Sequence, residues 1–109
     1  MQKNLMSDVS KLFMQKKNEN IEKAIFVVRN EKGLHTRPST ELVKCSSNFN
    51  CQINLFYRNY TVNAKSLLGI LMLAAGKGAK IKVEAHGEDA KKAIDAILFL
   101  ASNKFNIKY

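Results

Sequence analysis

Within the segment Gly33-Leu34-His35-Thr36-Arg37-Pro38-Ser39 the chain sets an imidazole and a guanidinium beside the start of a helix. Pro38 suits the first helical position, because its ring fixes φ and its missing N–H would go unpaired there. His35 then stands just before the first turn, where free backbone N–H groups and the positive end of the helix dipole face outward. Such a place attracts anions. Arg37 adds a permanent cation whose fork matches phosphate oxygens. A nucleophilic imidazole next to a phosphate cradle predicts a histidine that accepts and hands on a phosphoryl group. The bland alternative is an ordinary turn with a surface histidine, and the rest of the chain has to decide between them.

A second candidate lies at Asn63-Ala64-Lys65-Ser66. Serine is a favoured N-cap, so Ser66 reads first as the start of a helix. A hydroxyl at a helix start could also bear a phosphate, which the dipole would tolerate. The following run, Leu67-Leu68-Gly69-Ile70-Leu71-Met72-Leu73, is apolar at nearly every position. A helix there can turn Ile70 and Leu73 to the core, and it then leaves Leu67, Leu68, Leu71 and Met72 as an exposed apolar patch. Patches of that kind mark partner surfaces.

The elements that must hold these residues follow from periodicity. Leu5, Val9, Leu12 and Phe13 recur at helical spacing, and Asn18-Glu19-Asn20 breaks the pattern. Residues 1–20 therefore read as an N-terminal extension, helical or loosely ordered, before a domain spanning 21–109. Ala24–Val28 is a short β-rich run. Pro38 to about Asn48 reads as a helix with Leu42, Val43 and Ser46 on one side. Gln52–Tyr57 alternates as a half-buried strand, Arg58-Asn59 turns the chain, and Tyr60-Thr61-Val62 returns as a hairpin partner. Ser66 to about Ala74 is a short helix. Lys80–Ala85 alternates again. Glu88-Asp89 put acids at the start of a last helix that carries Ala93, Ile94, Ile97, Leu98, Leu100 and Ala101 and ends near Asn103. The order βαββαβα, without long crossover units, predicts an α+β fold with one sheet face under helices and one wet face.

Composition excludes several function classes. A chain of 109 residues with 46% apolar residues and one proline is a single folded domain. No apolar stretch approaches the roughly 18 residues of a membrane span, so no membrane insertion is expected. The start shows no secretion signal, which makes the cytoplasm the expected compartment. Cys45 and Cys51 lack metal-ligand or CxxC spacing, and neither His35 nor His86 completes a set with them. They read as ordinary thiols, with no metal and no cofactor. His86, before Gly87, reads as a solvated strand end without a function. The net charge of +9 favours anionic partners of any kind. The lysines are scattered, however, and no RNP-type aromatic signature accompanies them, so nucleic acid is not the expected partner.

The two motifs together resemble the histidine-containing phosphocarrier (HPr) family of the phosphoenolpyruvate-dependent sugar phosphotransferase system. The resemblance rests on Gly33-Leu34-His35-Thr36-Arg37-Pro38, Asn63-Ala64-Lys65-Ser66-Leu67-Leu68-Gly69-Ile70, Gly76-Lys77-Gly78-Ala79 and His86-Gly87-Glu88-Asp89, over about residues 21–105. Ser66 follows His35 by 31 positions, the family's spacing. The resemblance implies an open-faced sandwich of four antiparallel strands under three helices, and a carrier that is not an enzyme on its own. It implies that His35 accepts phosphate through Nδ1 from Enzyme I and passes it to IIA components, with Arg37 steadying the phosphoryl group. It further implies partner docking through Thr36, Lys44, Leu67, Leu68 and Leu71, and regulatory phosphorylation of Ser66 by an HPr kinase/phosphorylase. A monomer is expected.

The N-terminal extension, the basic charge, Ser39 where the family often has alanine, and Met72 where it often has a polar residue depart from the pattern. They bear on partner specificity, because rim charges steer docking. Two other readings stay open. One is a regulatory homologue without a role in sugar transport. The other is a basic nucleic-acid-binding module, supported only by charge.

Overall fold

The computed structural model describes residues 20–109, so the helix expected from Leu5, Val9, Leu12 and Phe13 lies outside the described residues. The elements run β1 (Ile21–Val27), α1 (Thr36–Ser47), β2 (Gln52–Tyr57), β3 (Tyr60–Asn63), α2 (Leu67–Met72), β4 (Lys80–His86), α3 (Ala90–Ser102) and a short turn of 3-10 type at Lys104–Asn106. The expected α+β order βαββαβα is the one found. The four strands form one antiparallel sheet in the order β1-β4-β2-β3.

Alternation decides which sheet face is buried. Phe26 of β1, Ile53 and Leu55 of β2, and Ile81, Val83 and Ala85 of β4 point into the core. Their neighbours Ile25 and Lys82 pair across the outer face and stay exposed. The helices cover only the inner face. Helix α3 repeats Ala90, Ala93, Ile94, Ile97, Leu100 and Ala101 at helical spacing, and it buries that stripe over β1 and β4. Each fully buried Ile or Leu in such a stripe contributes about 1.5–3 kcal/mol. Helix α1 contributes Leu42 and packs against α2 and α3.

Three details differ from the pattern read in the sequence. Helix α1 begins at Thr36 rather than Pro38, which becomes its third residue. Proline costs nothing at that position, because the N–H groups of the whole first turn lack intrahelical partners. Asp89 precedes α3 but makes no capping bond with its side chain. Its carboxylate instead accepts the backbone N–H groups of Asn50 (2.8 Å) and Cys51 (2.9 Å), tying the entry of β2 to the start of α3. His86 is half-buried, with Nε2 lying 3.4 Å from Oε1 of Glu84, where a solvated side chain was expected.

Burial pushes the Cys51 thiol up to about 11, with the Asp89 carboxylate adding to the shift, and burial also raises Cys45. Both shifts favour the protonated thiol over the thiolate, the form that attacks and binds metals. Among the described residues no helix is long and apolar enough to cross a membrane, and no cluster of metal-ligating side chains occurs.

Candidate active site at the mouth of the first helix

The loop between β1 and α1 is pinned from both sides before it presents His35. Val28 N–H donates to the Ala79 carbonyl (2.9 Å), and Gly78 N–H returns to the Val28 carbonyl (2.7 Å). Leu34 N–H donates to the Ala75 carbonyl at 2.9 Å. That last bond requires glycine at 33. A Cβ there would fall 2.3 Å from the Ala75 oxygen, and the backbone sits at φ +70°. Leu34 is buried, and the buried Ser39 hydroxyl donates to the Leu34 carbonyl at 2.9 Å. The residue before His35 and the fourth residue after it are therefore both anchored in the core.

His35 itself is the N-cap of α1, with extended backbone, and its side chain makes no capping bond. Pro38 takes away one of the two donors a cap could use. A cap side chain accepts from the N–H of the second or third helical residue. The third is Pro38, which has no N–H. Only the Arg37 N–H at the second position is left to serve a cap, and the imidazole makes no bond to it. Its Nε2 is buried with no hydrogen-bond partner among the described residues. Arg37, at the second helical position, is exposed.

A residue that nothing in the local sequence pointed to completes the group. The Tyr109 ring lies parallel to the His35 ring, with centroids 6.5 Å apart and planes 6° off. Nη1 of Arg37 donates to the Tyr109 hydroxyl at 2.6 Å. The Lys32 ammonium stands 5.6 Å from the centre of the same ring, and the Arg37 guanidinium 5.8 Å. The imidazole, two cations and the open N-terminal turn of a helix thus gather around the Tyr109 ring. Such a group can take an anion onto a ring nitrogen and neutralise its charge.

Ser66 lies apart from this group, as the N-cap of α2. Its Oγ accepts from Gly69 N–H at 3.1 Å, so here the cap bond is made. Helix α2 buries Ile70, and Leu73 is buried just beyond it. Leu67, Leu68 and Met72 are exposed, Leu68 by 69% and Met72 by 63%, while Leu71 is half-buried. Of the other expected docking residues, Thr36 is exposed, and Lys44 is exposed and pairs with Glu41 at 3.3 Å. Because α1 packs on α2, and the chain leaving α2 meets the His35 loop at Ala75, the apolar helix adjoins the imidazole site.

The family model described as the PTS HPr component phosphorylation site matches residues 22–103. The chain belongs to the HPr family. The phosphocarrier protein HPr of Cupriavidus necator is 41% identical over 76 residues, which cover 70% of this chain and 85% of that protein. The crystal structure of HPr-C-His from Thermoanaerobacter tengcongensis superposes with a TM-score of 0.77 at 35% identity, over 81% of this chain and 99% of that one. Crh, the catabolite repression containing protein of Bacillus subtilis, crystallised as a domain-swapped dimer, gives 0.62 at 30% identity over 71% and 88%. HPr proteins are phosphocarriers of the sugar phosphotransferase system and not enzymes in themselves. The open-faced sandwich expected from the resemblance is the architecture of this chain. HPr-like folds also occur as dimers, so the family does not fix the monomer expected from the sequence.

Proposed function

We propose that His35 is the phosphoryl acceptor, taking the group from Enzyme I charged by phosphoenolpyruvate and passing it to IIA components in the cytoplasm. One observation carries this reading: His35 caps a helix without using its side chain, and its Nε2 is buried with no hydrogen-bond partner among the described residues. That leaves Nδ1 to meet the donor. In the neutral ring with hydrogen on Nε2, the Nδ1 lone pair forms the new N–P bond while the bond from phosphorus to the donor breaks. The bonding pair leaves with the donor. Arg37 supplies charge-assisted contacts to the phosphoryl oxygens, and the first-turn N–H groups add to them. Thr36, Lys44, Leu67, Leu68 and Leu71 form the docking surface for both partners, and the +9 charge steers acidic faces toward it.

The test is incubation with phosphoenolpyruvate and Enzyme I, followed by peptide mapping. An acid-labile phosphate on His35 is expected. Labelling elsewhere, or none, overturns the assignment.

The exposed leucines beside Ser66 favour a second role for the same protein. Ser66 Oγ accepts the cap bond, and a phosphate there could still accept it. We propose that an ATP-dependent HPr kinase/phosphorylase modifies Ser66 and that the added charge blocks docking on Leu67 and Leu68. The likeness to Crh supports a regulatory protein with no part in sugar transport as the alternative. Transfer from phosphorylated His35 to any sugar-specific IIA would exclude that alternative.

A further inference from the structure

The segment after α3 is folded in a costly way. Lys104, Phe105 and Asn106 have φ of +53°, +55° and +63°, three successive non-glycine residues in the left-handed region. Non-glycine residues stay in that region only where their surroundings over-determine them. They do so here. Phe105 is fully buried and meets Phe26 edge-on at 5.8 Å, and buried Asn30 donates from Nδ2 to the Lys104 carbonyl (2.9 Å) and to the main-chain oxygen of Tyr109 (3.1 Å). Asn30 also takes Gly33 N–H on its own carbonyl at 2.9 Å. One asparagine thus fastens the left-handed turn, the last residue and the His35 loop together. The outcome is the placement of Tyr109 over His35 with its hydroxyl on Arg37.

We infer that Tyr109 is a positioning residue for phosphoryl transfer at His35, acting through Arg37. This deepens the phosphocarrier reading and rests on it. Tyr109 is neither acid, base nor nucleophile in the step. With no phosphoryl group present, its hydroxyl holds the Arg37 guanidinium beside the imidazole, so the long side chain is already ordered when the donor arrives. The oxygens of the incoming group are stronger acceptors than a neutral phenol, and they draw Arg37 across. The bond to Tyr109 is therefore one that the reaction replaces. The ordering of Arg37 precedes the transition state, and its benefit belongs in the rate of transfer more than in the binding of the partner.

The experiment compares the full-length chain with Tyr109→Phe, Arg37→Ala and the double variant. Two donors are used: Enzyme I with phosphoenolpyruvate, and phosphoramidate, which phosphorylates imidazole and releases ammonia without any partner protein. Tyr109→Phe keeps the ring and removes only the hydroxyl. It is expected to lower kcat about fivefold with Enzyme I while KM for Enzyme I stays within about twofold, and to slow phosphoramidate labelling similarly. In the Arg37→Ala background the same change is expected to do nothing further. Transfer by Tyr109→Phe at the wild-type rate overturns the inference. So does a fivefold loss that persists without Arg37, which would make Tyr109 merely structural. If Enzyme I labels nothing but phosphoramidate labels His35, the phosphocarrier reading fails, while the phosphoramidate cycle still decides the role of Tyr109.

Discussion

His35 and Ser66 hold the same structural office and are used in opposite ways. Both are N-caps with extended backbone at the start of a helix. Ser66 spends its side chain on the third helical residue, accepting from Gly69 N–H. The corresponding residue in α1 is Pro38, which has nothing to donate, and the His35 side chain makes no cap bond. Glycine at the third position lets a cap serve the helix. Proline there frees the cap for chemistry while leaving the other first-turn N–H groups for an anion.

The most severe way to break this comparison is His35→Ser, which installs the residue that α2 uses. Phosphoenolpyruvate-dependent labelling is expected to vanish. Serine is a far better cap than most residues, yet the gain in stability is expected to be under about 0.5 kcal/mol, because the usual donor is absent. Adding Pro38→Ala restores that donor. The pair His35→Ser/Pro38→Ala is then expected to melt higher than Pro38→Ala alone, in thermal denaturation followed by circular dichroism. A large gain from His35→Ser alone would show that Pro38 does not keep the cap idle.

Arg37→Ala comes next. It removes a charge-assisted contact worth about 1.5–3 kcal/mol, so transfer to His35 is expected to slow by about 10- to 150-fold with the fold intact. An unchanged transfer rate in a stopped-flow or quench assay would remove Arg37 from the site.

The sequence already carried much of this, for reasons that differ by element. Alternation in Gln52–Tyr57 and Lys80–Ala85 gave strands, since one sheet face is buried and period two marks it. The helical stripe of α3 was equally plain. Pro38 marks the start of α1 two residues late, because proline suits any first-turn position and not only the first. In the sequence Asp89 is a local helix charge, but its carboxylate serves the backbone of Asn50 and Cys51, 39 and 38 positions away. Tyr109 was invisible. It follows His35 by 74 positions, and only the left-handed turn at Lys104–Asn106 and the Asn30 bonds bring it back. Long-range placement by a strained turn leaves no periodic trace.

At Ser66 the comparison predicts a separation of stability from transfer. Ser66→Ala removes the cap bond and is expected to cost about 0.5–2 kcal/mol in denaturant unfolding, with phosphoryl transfer to His35 nearly unchanged. Ser66→Asp keeps an acceptor for Gly69 N–H and puts a negative charge at a helix start, so stability is expected to hold. Its charge beside exposed Leu67 and Leu68 is expected to raise KM for Enzyme I several-fold. An unaltered KM would mean that this face of α2 is not where the partner docks.

Asp89 is the third N-cap, and it sharpens the comparison because its side chain is spent elsewhere. The bond from Asn50 N–H, chiefly, and those from Cys51 hold its carboxyl below the usual aspartate range. A group whose value is depressed on folding binds fewer protons in the native state than in the unfolded chain. Its contribution to stability is therefore full above the unfolded value, near pH 4, and falls away as pH drops through the lower native value. Asp89→Asn keeps the shape and one acceptor oxygen but removes the charge. It is expected to lower the melting temperature at pH 7, the smallest effect among these variants, and to leave His35 labelling intact. The gap from wild type is expected to narrow as melts are repeated at falling pH, once the native carboxyl takes up its proton as well. A gap that does not change with pH across the acid range would show that Asp89 acts by packing alone. The charge would then have no part in joining β2 to α3, and Asp89 would be an unused cap like His35 rather than one whose charge is committed at a distance.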